Sequence, residues 1–330
     1  MPTSLHSGTD IDAPIPPGFR LESGEHLAQT HVRGRISGAP GAPVILVAGG
    51  ISSGRNAVAT DDGSPGWWPW VVTEGGPVDT SRARVLAFDF APEGEGGPVT
   101  ITTHDQARFA ALLLDHLGIR QVAAIVGCSY GGMVALAFAE LFPARVGRLV
   151  VFSAADRAHP MAIALRGIQR RIVQFGIDSG RADEGVALAR ELSMTTYRSE
   201  REFAERFDTA AAPARAGERY AVCEYLGERG RAYPAVMAAR RWIALSDSID
   251  RHRVDPTRIA APVTLVSIAS DRVVPQDDMR ALAGRLPGLV RLVEADSLYG
   301  HDAFLKERWL VEGVLREALA PVFAVAAAAA

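Results

Sequence analysis

The chain has 330 residues, 48% of them hydrophobic, with 35 basic and 38 acidic side chains and a formal charge of −3. It can bury a full α/β core with an insertion of subdomain size, and with neither a basic excess nor an arginine run, nucleic acid is not the expected partner. Two cysteines, Cys128 and Cys223, cannot build a disulfide framework or a four-thiolate metal site, so no metal is expected and a reducing, cytoplasmic setting is. No apolar span reaches membrane length and no basic n-region opens the chain, so no membrane association is expected. Any pyridoxal Schiff base would fall on Lys306, the single lysine, and no cofactor is expected.

Residues 1–15 are polar and non-periodic and read as a flexible leader. Segments 19–23 and 30–37 alternate as antiparallel edge strands do, and 43–48 is a buried strand. It runs into Gly49-Gly50, where a backbone N–H, assigned to Gly50, can serve as one donor of an oxyanion hole. Tryptophans crowd 66–70 and read as packing. Strand 83–90 follows, then a helix from a cap at Thr103 to about 117.

At 121–140 an apolar strand turns at Gly-Cys-Ser-Tyr-Gly (127–131) into an alanine-rich helix. This is the context a nucleophile elbow needs, because flanking glycines make room for a strained serine. Ser129 is the expected nucleophile, and the Tyr130 backbone N–H the other oxyanion donor. Cys128 is expected to turn into the core as an inert thiol.

Strand 146–152 precedes a stretch, 159–250, in which helical periodicity replaces the strand signal: 166–176, 181–194, 201–207 and 236–245. Strands alternating with helices specify a mostly parallel sheet flanked by helices, and the insertion would roof the carboxyl ends of its strands as a lid. The expected organisation is a leader at 1–15, a core at 16–158 and 251–325, and a helical lid at 159–250. The core resumes at 261–269, which exits through Asp271, the expected acid. Asp296 is the alternative, nearer the histidine but on another strand. Strand 290–294 leads to His301 before a helix at 303–318, completing the chain order Ser129, Asp271, His301 of a hydrolase-type triad.

The segments Gly-Cys-Ser-Tyr-Gly-Gly-Met (127–133), Met-Thr-Thr-Tyr-Arg-Ser (194–199), Ser-Ile-Asp (248–250) and Tyr-Gly-His-Asp-Ala-Phe (299–304) resemble those of the MetX-type homoserine O-acyltransferases of methionine biosynthesis. The resemblance runs from about 44 to 307 and implies an α/β-hydrolase fold with an inserted helical lid. Where the acetyltransferase branch has His-Ala-Leu-Thr-Gly, this chain has Ala-Gly-Gly-Ile-Ser (48–52). With Ala-Asp-Arg-Ala-His-Pro (155–160) and Gln-Arg-Arg-Ile (169–172), that form is similar to members using succinyl-CoA. The resemblance therefore implies succinyl transfer from succinyl-CoA to L-homoserine and a homodimer formed through the lid. It assigns the acceptor carboxylate to Arg170, with Arg171 the one-residue alternative, and the ammonium to Asp302. Arg55 is the expected partner of the succinyl carboxylate. The alternatives are acetyl-CoA as donor, serine as acceptor, water as acceptor in an esterase, and a non-catalytic binding protein on the same scaffold.

Overall fold

The computed structural model describes residues 8–60, 63–94, 98–207, 215 and 217–328. In chain order come β1 (Thr9–Pro14), β2 (His31–Gly38), β3 (Val44–Ala48), β4 (Val72–Thr73), β5 (Val78–Asp79), β6 (Arg84–Phe88), α1 (Thr103–His116), β7 (Ala124–Cys128), α2 (Tyr130–Leu141) and β8 (Leu149–Phe152). Next follow α3 (Pro160–Asp178), α4 (Ala182–Tyr197), α5 (Glu200–Arg206), α6 (Ala221–Arg231) and α7 (Ala239–Arg251). The chain then returns through β9 (Val263–Ile268), α8 (Gln276–Arg285), β10 (Val290–Ala295), α9 (Ala303–Lys306) and α10 (Arg308–Ala328).

Among the described residues eight strands form one sheet, ordered β1-β2-β6-β3-β7-β8-β9-β10, with β4 and β5 paired apart. β2 runs antiparallel to β1 and β6, and every pairing from β6 to β10 is parallel. The central strands β3, β7, β8 and β9 are buried at every position, as a sheet covered on both faces requires. Alternation divides their side chains between two layers. Leu46 and Ile125 join Phe109 of α1, Phe138 of α2 and Met279 of α8, whereas Ile45 and Val126 join Val311, Leu315 and Leu319 of α10.

The sequence reading is corrected at several places. Residues 9–14 are not leader: β1 extends the sheet edge against β2, with Ala13 buried, and a polar edge strand has too few apolar side chains to announce itself. Residues 1–7 lie outside the described residues. Segment 19–23 is a turn rather than a strand, held by Leu21 N–H to the Glu25 carbonyl at 3.0 Å, with the Phe19 ring stacked on Phe109. The cap of α1 is Thr102, which forms a reciprocal capping box with Asp105, while Thr103 turns inward. Helix α6 was not expected from the sequence, and it carries Gly227 and Gly230, residues that weaken a helical pattern. A Cβ on Gly230 would lie 2.7 Å from the Ala187 carbonyl oxygen, so this glycine permits close packing of α6 on α4. The helix expected at 303–318 divides at Glu307 into α9 and α10.

Candidate active site

Ser129 joins β7 to α2 with φ 53° and ψ −121°, a conformation L residues rarely adopt. The surrounding glycines make it possible. A Cβ on Gly131 would lie 2.2 Å from the Ala48 carbonyl oxygen, and one on Gly127 would lie 2.5 Å from the Gly131 carbonyl oxygen. So sharp a turn lifts the serine hydroxyl above the carboxyl end of the sheet. There Ser129 Oγ lies 2.8 Å from His301 Nε2, and His301 Nδ1 lies 2.7 Å from Asp271 Oδ2. Asp271 Oδ1 accepts the N–H groups of Val273 and Val274 at 2.8 and 3.0 Å, which fixes the carboxylate's orientation.

The imidazole is buried, which disfavours its charged form. Asp271, by charge and by hydrogen bond, and then Asp302 outweigh that burial and hold its pKa above the ordinary histidine value, while Arg166 opposes them. A proton on Nδ1 facing Asp271 leaves Nε2 free to accept from Ser129, the arrangement of a general base. Asp296 lies elsewhere, exposed and paired with Arg201 at 3.1 Å. Cys128 is buried, and burial pushes its thiol pKa well up.

Gly50 and Tyr130 both line the cavity over Ser129, whose volume is about 250 Å³. The Gly131 N–H donates to the Gly49 carbonyl at 2.8 Å and so ties the glycine turn to the elbow. Among the described residues neither the Gly50 nor the Tyr130 backbone N–H has a protein acceptor, leaving two donors available to an oxyanion.

The expected cations are placed differently. Arg55 lies outside the cavity lining, bound to Asp89 by its guanidinium and by its backbone N–H, the latter at 2.8 Å. Arg170 is also outside: it donates to Asp250 at 2.6 Å and to Ser246, and with Arg171 it lines a separate groove. Position along the helix explains this, since residues four apart share a face and differ only in how far along α3 they stand. Residue 166 is one turn earlier on α3, and it is Arg166 that reaches the cavity, with Nε 2.6 Å from Asp250 Oδ1 and a buried Nη2 that has no partner. One carboxylate thus serves two guanidiniums. Asp302 does line the cavity, beside His301.

Arg190, Tyr197 and Trp67 also line the cavity; the sequence reading took Trp67 for packing and gave the other two no site role. Arg190 lies over the rings of Tyr233 and Tyr197, 4.5 and 5.4 Å from their centroids, with no carboxylate partner among the described residues. Its signal was present: it precedes Tyr197 of the 194–199 motif by seven residues, two turns along one face of α4. Among the described residues no cluster of three or more histidine, cysteine or acidic side chains could hold a metal ion, and no helix is long and apolar enough to cross a membrane.

The family profile of the α/β hydrolase fold matches residues 42–307. The chain is 39% identical over 316 residues to the homoserine O-succinyltransferase of Xanthomonas campestris pv. campestris, covering 93% of this chain and 86% of that one. It is 31% identical over 352 residues to the homoserine O-acetyltransferase of Leifsonia xyli subsp. xyli, covering 92% and 87%. The crystal structure of the Bacillus anthracis homoserine O-acetyltransferase superposes with a TM-score of 0.83 over 96% of this chain and 98% of that one, at 16% identity, a likeness of fold.

Proposed function

The chain belongs to the homoserine O-acyltransferases of the α/β-hydrolase fold, and we propose that it moves a succinyl group from succinyl-CoA to the hydroxyl of L-homoserine by double displacement. His301, oriented by Asp271, takes the Ser129 proton as Oγ attacks the thioester carbon. The new C–O bond forms, the tetrahedral oxyanion rests on the Tyr130 and Gly50 N–H groups, and the C–S bond breaks as the proton passes to the departing thiolate. One such oxyanion donor is typically worth about 3 kcal/mol. Homoserine then enters, His301 removes its hydroxyl proton, and the attack on the acyl-Ser129 ester returns the serine with its proton.

One observation carries the reading: a single cavity joins the serine nucleophile and its base to two arginines and an aspartate. Both substrates present carboxylates, and the acyl-enzyme and acceptor occupy the site together, so two cations are needed. Arg190, without a carboxylate partner, takes the acceptor carboxylate, and Asp302 takes its ammonium. Arg166, with its orphan Nη2 and only half of Asp250, takes the distal carboxylate of the donor. These replace Arg170 and Arg55 in the roles expected from the sequence.

The chain works in the cytoplasm as a homodimer paired through the lid. Met161, Ile168 and Phe175, exposed at seven-residue spacing on α3, and Leu188 on α4 support that pairing. The test is product mass spectrometry with homoserine and serine, each offered succinyl-CoA and acetyl-CoA. O-succinylhomoserine as main product is expected. Equal yields from both donors would remove the donor assignment, dominant O-succinylserine would remove the acceptor assignment, and CoA release indifferent to acceptor would indicate an esterase.

A further inference from the structure

Residues 197–199, at the end of α4 and in the turn to α5, touch the His301 loop at four points. The Tyr197 ring lies over the imidazole, centroids 5.6 Å apart and planes inclined by 32°. Its carbonyl oxygen is so near Gly300, whose φ is 56°, that a Cβ there would lie 2.8 Å away. The Ser199 hydroxyl donates to the Leu298 carbonyl and accepts the Glu202 N–H at 2.9 Å. Arg198 bridges two carboxylates, with Nη2 3.3 Å from Asp302 Oδ2 and Nη1 3.4 Å from Glu202 Oε2.

We propose that Arg198 is a positioning residue: it holds Asp302 beside His301 in the resting site and cedes that carboxylate to the ammonium of the acceptor, its guanidinium then pairing with Glu202 alone. This rests on the reading of Asp302 as the ammonium site. Three observations support an exchangeable contact. The pair is single-pronged and longer than the roughly 2.7–2.9 Å of a strong charge-assisted bond. Arg198 Nε is buried without a partner, so the guanidinium is not locked by a full set of bonds. A buried cation stripped of its only anion would be strongly disfavoured, and Glu202 removes that obstacle because it already touches Arg198, Arg206 and Lys306.

The contact also sets the charge that His301 feels. The imidazole is faced by Asp271 from the turn after β9, Asp302 from its own loop, Tyr197 and Arg198 from the end of α4, and Arg166 from α3. Asp302 favours the imidazolium, and Arg198 offsets Asp302.

The experiment uses full-length Arg198→Gln, Arg198→Lys, Glu202→Gln and Asp302→Asn. Two quantities are read: the pH profile of CoA release in the acylation half-reaction without acceptor, and the homoserine KM in full turnover. Arg198→Gln is expected to move the acid limb to higher pH by roughly 0.5–1 unit, because Asp302 is no longer offset. It should lower the homoserine KM about two- to fivefold by removing a competing cation. Arg198→Lys, which keeps the charge, should stay near the parent enzyme in both. Glu202→Gln confines Arg198 to Asp302 and should move both readouts the opposite way, which keeps the proposal testable if Arg198→Gln does not fold. An acid limb that stays in place while kcat falls, or that moves to lower pH in Arg198→Gln, overturns the proposal. So does a homoserine KM that does not fall. Asp302→Asn separates the two readings: an unchanged homoserine KM there removes the ammonium assignment itself, whereas a raised KM with no limb shift in Arg198→Gln removes only the positioning role.

Discussion

The Tyr130 hydroxyl lies 2.7 Å from Ser248 Oγ, both residues buried, so the residue after Ser129 is bonded directly to α7, a helix inserted between β8 and β9. The peptide proposed to supply an oxyanion donor is thus held both from the sheet and from the helical insertion. Tyr130→Phe keeps the backbone N–H but strands the Ser248 hydroxyl. We expect a loss of about 1–3 kcal/mol of stability, read from the urea midpoint. The expected fall in kcat/KM is less than about tenfold, because the backbone donor remains. A hundredfold fall would mean that the phenol itself meets substrate.

Ser129 holds its backbone at a positive φ that glycine adopts freely. Ser129→Gly is therefore expected to raise stability by roughly 1 kcal/mol while abolishing acylation. Intact-protein mass after incubation with succinyl-CoA checks the second point and a melting curve the first. Asp271→Asn should lower turnover about 10⁴-fold by favouring the wrong imidazole tautomer.

Because Asp271 and Asp302 overcome burial and raise the pKa of His301, the acid limb of kcat/KM should fall above the ordinary histidine value of about 6.5. Asp302→Asn removes one of the raising charges and should shift that limb to lower pH. The stability consequence has the other sign. A raised folded-state pKa stabilises fully below the unfolded-state value, and that stability is lost as the pH rises through the folded-state value. A pH-rate profile beside a pH-stability profile reads both.

His252 behaves in reverse. Buried between Thr103 and the Ala155 carbonyl, it is held neutral: burial pulls its pKa down to about 3. As the pH falls below about 6.5 the unfolded chain takes up a proton that the folded one refuses, so stability should drop by about 1.4 kcal/mol per unit, approaching a limit near pH 3. His252→Asn should be less stable at neutral pH yet show a flatter acid slope. An unchanged slope in urea titrations between pH 6 and 4 would locate the acid sensitivity elsewhere.

The arginines give a direct comparison. Arg190→Ala should raise the homoserine KM with a smaller effect on acylation, whereas Arg55→Ala should lower turnover of succinyl-CoA and acetyl-CoA by the same factor, because Arg55 is bound to Asp89. A selective loss with succinyl-CoA in Arg55→Ala would restore Arg55 to the donor site.

The chain's own residue order determined a good deal: continuous apolar runs separated by helical periodicity require a covered parallel sheet, and glycines at 127, 131 and 132 are there because no Cβ fits. The order Ser129, Asp271, His301 was legible for the same local reason, since each follows a strand whose end fixes where it emerges. What sequence could not supply was which cation reaches the cavity. Arg166 and Arg170 stand one turn apart on α3 and share Asp250, and only the crossing of α3 over the cavity sends one inward and the other into a neighbouring groove. The β1 edge was equally closed to inspection, because β1 carries few apolar side chains and owes its place to pairing with β2, whereas the β10 edge was legible. Local chemistry is written along the chain, whereas the place where a helix crosses the site and the pairing of charges between distant segments exist only once packing has chosen which surfaces meet.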